Sequence, residues 1–300
     1  MRKHFSNYIE KIADQEDIVF ITGDLGYNAL ENLRDKMSDR FINAGVAEQN
    51  MISVAAGIAS QGFRVVCYSI APFIVYRCLE QMRNDVCFHN LPVYIAGNGG
   101  GYHYGALGSS HHTLEDLATL SGLPNIRCYV PAFLDDMNTC MDEMFARRQP
   151  AYLRLGIGKE MPESLSQTSY GAAPVLNEKA KMTIVAQCPV VNNVIAALAS
   201  NQEVDLFVVN RMPFTEMPAE MAASIRNTNQ VLTVEEHVAV GGIGMAVATL
   251  AEKNAISVKR FECLCAQGYP DGLYGNQNFH QQASGLDTTN ISNVIASFLE

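Results

Sequence analysis

Residues 47–68, AEQNMISVAAGIASQGFRVVCY, carry the pattern that decides the fold. Met51, Val54, Ala55, Ile58 and Ala59 recur at spacings of one, three and four, the apolar stripe of a helix over 47–61, and Gly62 is placed to stop it. Residues 65–68 follow as a short apolar run, which reads as a strand covered on both faces. Similar runs occur at 18–22, 93–96, 126–130 (ended by Pro131) and 151–155. Helical patterns fall between them at 76–84 and 114–121. Strand–helix alternation of this kind predicts a doubly wound α/β domain over residues 1–157. The stretch 156–175 is rich in Gly, Pro, Ser and Thr without periodicity and predicts a linker over 158–178. Alternation then resumes, with strands expected at 182–186, 205–209, 231–234 and 258–261 and helices at 191–200, 219–228 and 244–254. The expected fold class is therefore α/β, two doubly wound and mostly parallel sheets, the second and smaller domain spanning 179–300.

Composition narrows the function. The 300 residues are 48% hydrophobic and 17% charged, enough apolar material for packed cores and too much for a disordered chain. A net charge of −10, from 21 basic and 31 acidic residues, disfavours nucleic acid and anionic membranes as partners. No apolar run approaches a membrane span, and the first residues lack the apolar segment of a signal peptide. The eight cysteines form no C-x-x-C pair and lie mostly in apolar segments, the pattern of buried thiols in a cytoplasmic protein. Cys263 and Cys265 alone are too few for a zinc site.

In open parallel sheets, ligands bind beyond the carboxyl ends of the strands. That rule selects Asp24, the segment 69–73, the loop 97–112 and Arg154, and in the second domain Glu235, Glu236 and His237. The loop reads GNGGGYHYGALGSSHH, with six glycines and three histidines in sixteen residues. Glycines let backbone approach a ligand, and histidines can move protons near neutral pH. An active-site loop is expected there, and no metal, because no carboxylate stands at a ligand-like spacing. Glu48 opens a helix, where a carboxylate ordinarily serves the helix dipole. Spacing alone gives it no other role. There is no P-loop, Gly242 and Gly244 lack the third glycine of a dinucleotide fingerprint, and no G-x-S-x-G elbow occurs.

Residues 40–85, RFINAGVAEQNMISVAAGIASQGFRVVCYSIAPFIVYRCLEQMRND, together with SSHHTLEDLATLSGLPNIRCYVPA at 109–132, resemble the pyrimidine-binding domain of transketolases. VLTVEEHVAVGGIG at 231–244 resembles the transketolase C-terminal domain. The N-terminal domain of that family carries G-D-G followed by N-N and holds the diphosphate of thiamine diphosphate through a metal ion. Here Gly23-Asp24 is followed by leucine, and Asn192-Asn193 lies in the second domain. The resemblance is thus to the separately encoded C-terminal subunit of a split transketolase. It implies thiamine diphosphate shared with a partner subunit that holds Mg²⁺ or Ca²⁺, in an α₂β₂ assembly acting on a small sugar-type substrate.

Carried over residue by residue, the resemblance assigns Glu48 to the aminopyrimidine N1′, a charge-assisted contact that activates the cofactor. Phe73 and Tyr76 fall at aromatic pocket positions, Ile70 at a third where the family has phenylalanine, and Asp24 near the thiazolium. Arg2 and Arg154 match arginines that hold the sugar phosphate, and Asn28 stands at a serine position. His111, 63 residues beyond Glu48, matches the histidine that follows the glycine loop. Leu107 replaces an aspartate of the family and Gly99 a histidine, departures for which Tyr102, His103, Tyr104 and His112 are placed to compensate. Losing polar groups of this kind changes the donor. The same architecture serves 2-oxoacid dehydrogenase β subunits and deoxyxylulose-phosphate synthase, and a non-catalytic subunit is the remaining alternative.

Overall fold

The computed structural model describes residues 1–26, 29–198, 203–269 and 272–300. Six strands lie parallel in one sheet: β1 (Ile18–Thr22), β2 (Phe41–Asn43), β3 (Arg64–Ile70), β4 (Val93–Asn98), β5 (Arg127–Tyr129) and β6 (Ala151–Leu155). Their order is β5-β6-β4-β3-β1-β2. The chain leaves β1 for β2 on one side and then returns to β3 on the other. The order therefore reverses between β1 and β3, which opens a crevice at their carboxyl ends.

The second sheet is built from β7 (Leu165–Thr168), β8 (Gly171–Pro174), β9 (Met182–Ala186), β10 (Val204–Val209), β12 (Gln230–Val234) and β13 (Arg260–Leu264), in the order β13-β12-β9-β10-β8-β7. The strands from β13 to β10 are parallel, and β8 and β7 close the edge antiparallel. Between β10 and β12, β11 (Arg211–Met212) crosses to the first sheet and pairs antiparallel with β5. Every residue of β1, β6 and β9 is buried, as strands covered by helices on both faces require. No helix among the described residues is long and apolar enough to cross a membrane.

The structure departs from the sequence reading in three places. The expected linker at 158–178 contains the β7–β8 hairpin. Its strands are four residues each, and β7 is half polar and mostly exposed, so no alternation was visible. The helix expected at 76–84 starts earlier, as Ala71–Tyr76 with Pro72 in its first turn, and continues past a break as Leu79–Gln81 and a wide turn, Met82–Cys87. Helices Arg2–Ile12, Leu134–Arg147 and Thr288–Leu299 were not anticipated.

A buried charge pair joins the two sheets. Arg154 on β6 lies 3.0 Å from Asp116, the first residue of helix Asp116–Ser121, and both side chains are almost wholly excluded from solvent. Arg154 Nη2 also donates to the carbonyls of Thr113 (2.6 Å) and Glu236 (3.1 Å), the latter just beyond β12. Tyr152 donates its hydroxyl to Asp116 at 2.8 Å. Removing one partner of such a pair leaves an uncompensated buried charge. Arg154→Met is expected to cost about 3–5 kcal/mol, and adding Asp116→Asn to recover part of it. Thermal or urea melting checks this, and an unchanged midpoint in Arg154→Met would contradict it.

Candidate functional site

At the reversal between β1 and β3, three elements converge. Asp24 follows β1 with a positive φ of 54°, a conformation a short polar side chain tolerates. Its backbone N–H donates to Asn43 Oδ1 (3.1 Å), and Asn43 Nδ2 donates back to its carboxylate (2.9 Å), which ties the ends of β1 and β2. Helix Glu48–Ala59 begins beside them. Glu48 is 4% exposed, accepts from Ser69 Oγ of β3 at 3.3 Å through Oε1, and from Arg77 Nη1 at 3.1 Å through Oε2. A side chain at position 23 would come within 3.3 Å of Ser69 Oγ and 3.7 Å of Glu48 Oε1, so Gly23 keeps the space over the carboxylate open.

Phe73, in the helix that follows β3, is half-buried. The Arg77 guanidinium lies over its ring, 3.9 Å from the centroid, and His111 meets it edge-on at 5.0 Å. Ile70, also half-buried, ends β3. Tyr76 lies further along and exchanges hydrogen bonds with Glu115, donating to its carboxylate (2.8 Å) and accepting from its backbone N–H (3.1 Å). Arg77 escaped the sequence reading. Its signal was there, since a position four residues after Phe73 shares its helical face.

The glycine loop is pinned to the second sheet. Glu236 is fully buried and accepts from Tyr102 N (2.7 Å), Gln277 Nε2 (2.8 Å) and Gln281 Nε2 (2.5 Å). Gly101 has φ +70°, and a Cβ there would lie 2.2 Å from Glu236 Oε1, so this contact demands glycine. Glu235 accepts from Ile243 N (2.8 Å) and Gly244 N (2.9 Å) at the start of helix Ile243–Lys253. His237 accepts from Ala118 N at 3.2 Å. All three residues of the Glu-Glu-His run thus hold backbone rather than face a cleft.

The remaining expected site residues divide. His103 and His111 stay half-buried on the arc of the loop, and Arg2 is exposed on a groove with Lys3, Ser6 and Asn7. Two are corrected. Arg154, expected to hold a substrate phosphate, is 3% exposed and spent on Asp116. His112 is 2% exposed, packed among Tyr102, Tyr269 and His280. Apolar surroundings at the sheet junction draw both inward. Burial pushes His103 and His112 below the usual imidazole range, which leaves them neutral at pH 7. Asn28 lies outside the described residues. Among the described residues no cluster of three or more His, Cys, Asp or Glu is arranged to hold a metal ion.

A buried carboxylate and a half-open aromatic ring at the switch point of a parallel sheet define a class, an α/β protein with a small-molecule crevice. Residues 1–158 match the transketolase pyrimidine-binding domain and residues 171–291 the transketolase C-terminal domain. The chain belongs to the transketolase family. It is 30% identical to one of the separately encoded subunits of the apulose-4-phosphate transketolase of Actinobacillus succinogenes, over 97% of this chain and 95% of that one. The protein of the same description from Phocaeicola vulgatus is 27% identical, over 100% and 97%. A 1-deoxy-D-xylulose-5-phosphate synthase of Clostridium perfringens is 25% identical over 98% of this chain but 48% of its own length. A solved split-gene transketolase, described as an inactive beta4 tetramer, superposes with a TM-score of 0.79 at 26% identity, covering 99% of this chain and 97% of that one.

Burial raises the Glu235 carboxyl to about 7, against the pull of the Gly244 and Ile243 N–H groups. Between its ordinary value of 4.5 and about 7, the unfolded chain gives up a proton that the folded chain keeps. Stability from this group therefore falls as pH rises through that window and is flat above it. The melting point of the wild type relative to Glu235→Gln should drop from pH 5 to pH 7.5, by the equivalent of about 3 kcal/mol at most. Parallel curves would contradict the assignment.

Proposed function

We propose that this chain is the C-terminal, β-type subunit of a two-component, thiamine-diphosphate-dependent transketolase-like enzyme that transfers a two-carbon ketol unit between sugars or sugar derivatives. The observation that carries the reading is the buried Glu48 carboxylate beside the half-open Phe73 ring, with Gly23 keeping the space above it clear. These groups fit an aminopyrimidine, which needs an acceptor for a ring N–H and a flat apolar wall. The two apulose-4-phosphate transketolase relatives are each described as one subunit of that enzyme and are matched over nearly their whole length, which supports a separate partner. That partner would hold the diphosphate and its metal ion.

Bound thiamine diphosphate supplies a nucleophilic carbon that attacks the carbonyl of a donor. The chain's own residues prepare that attack. Glu48 accepts a hydrogen bond from N1′ and holds the proton there, with Ser69 fixing its second oxygen. Phe73 stacks the ring, Ile70 closes an apolar wall, and Tyr76 is steadied by Glu115 at the rim. Asp24 stands at the thiazolium side. His111, held by Ser110 Oγ at 3.0 Å, and His103, neutral, are positioned to exchange protons with donor oxygens. Arg2 is the remaining cation for a substrate phosphate.

The donor pocket is remodelled. A side chain at Gly99 would collide with the Tyr104 ring at 2.2 Å, so that ring fills the place of the family histidine. Tyr104 accepts from Asn98 Nδ2 at 2.6 Å, and Leu107 is 56% exposed. A ketose phosphate is the donor class best supported, since two relatives are described as acting on apulose 4-phosphate.

The test is reconstitution. This chain and its partner should cleave a ketose phosphate only together, and Glu48→Gln should lower turnover by about 10²–10⁴-fold while the complex stays intact. Full activity of this chain alone, or of Glu48→Ala with the partner, would overturn the proposal. Turnover restricted to a 2-oxo acid donor would favour the deoxyxylulose-phosphate-synthase reading.

A further inference from the structure

Arg77 takes part in none of the steps above, yet it makes both contacts expected of the cofactor ring. Its Nη1 donates to Glu48 Oε2 at 3.1 Å, and its guanidinium carbon sits 3.9 Å from the centre of Phe73. A guanidinium is flat, edged with N–H donors and well suited to stacking on an aromatic face. An aminopyrimidine is recognised by the same two features, a carboxylate at a ring nitrogen and a stacked ring. One carboxylate edge and one ring face cannot serve both groups at once.

The two partners differ in what they can do about this conflict. The Glu48 side chain is 4% exposed and fixed at the start of its helix, whereas the Arg77 side chain is 47% exposed. Arg77 can therefore turn into water, where its charge is solvated, while Glu48 cannot leave. A buried carboxylate without a counter-charge is costly, so a cation over it while the seat is empty stabilises the chain.

We propose that Arg77 is a resident occupant of the pyrimidine seat, which neutralises Glu48 and covers Phe73 until the cofactor displaces it, and that it thereby sets the cofactor affinity of the site. The inference rests on the reading of this pocket as the aminopyrimidine site. The contacts that the ring must displace, a cation–π contact and a half-exposed ion pair, correspond to about five- to tenfold in affinity.

The experiment uses the complex purified through a tag on this chain, titrated with thiamine diphosphate and Mg²⁺ by calorimetry. Arg77→Ala should bind about five- to tenfold more tightly than wild type. The isolated Arg77→Ala chain should melt below the wild type, because Glu48 has lost its cation. A merely structural arginine would lower both quantities. Arg77→Lys keeps the charge but not the flat face, so its affinity should fall between the two, and it carries the comparison if Arg77→Ala does not fold. Affinity equal to or weaker than wild type in the Arg77 variants, with Glu48→Gln also weakened, would overturn the displacement while the pocket reading stands. Wild-type affinity in both Glu48→Gln and Phe73→Ala would overturn the pocket reading, and the displacement with it.

Discussion

The buried pair of Arg154 and Asp116 is the contact on which the geometry of the crevice depends. Two charges removed from water are tolerated only when each finds fixed partners, and here the partners come from four elements. Arg154 belongs to β6 of the first sheet and Asp116 to the helix after the glycine loop. The Thr113 carbonyl ends that loop, and the Glu236 carbonyl lies beyond β12 of the second sheet. Moving any of them leaves a charge or a carbonyl unpaired. Glu236 then extends the tie with its carboxylate, which grips the Tyr102 N–H near the other end of the loop. The loop is thus held at both ends, and the arc between, with His103, Tyr104, Leu107 and His111, is left to shape the space beside Phe73.

This arrangement separates what is constrained from what can vary. The held ends require glycine at 101, where a Cβ would strike Glu236. The arc carries the differences from the transketolase pattern, Leu107 and the Tyr104 ring behind Gly99. A scaffold held by buried charge can change its loop arc without disturbing the sheets, which is how one fold comes to serve different donors.

Much of the architecture was legible because it follows from periodicity. The stripe from Met51 to Ala59 and the apolar runs of β1, β3, β4 and β6 read directly as parallel sheet and covering helix. β7 and β8 did not, because strands of four residues in a Gly- and Ser-rich stretch show no period. The site was legible only in part. Glycines and histidines at 97–112 marked a loop near a ligand, but burial decides which of them can reach one, and burial of a single side chain is not written in spacing. His112 and Arg154 were drawn inside by partners distant in the chain, Tyr269 and His280 for one and Asp116 for the other. Glu48 looked like a helix-dipole residue until strand β3 brought Ser69 and Phe73 beside it. Arg77 had the right offset from Phe73 but nothing local to reveal that Glu48 was its partner.

The proposed chemistry comes down to one proton held at N1′ by a carboxylate that water does not reach. Exchange of the C2 proton of thiamine diphosphate bound to the assembled complex, followed by quenched deuterium NMR, measures that role without any sugar present. The account predicts exchange slower by about 10²-fold or more in Glu48→Gln than in wild type. Equal exchange rates in the two complexes would contradict it.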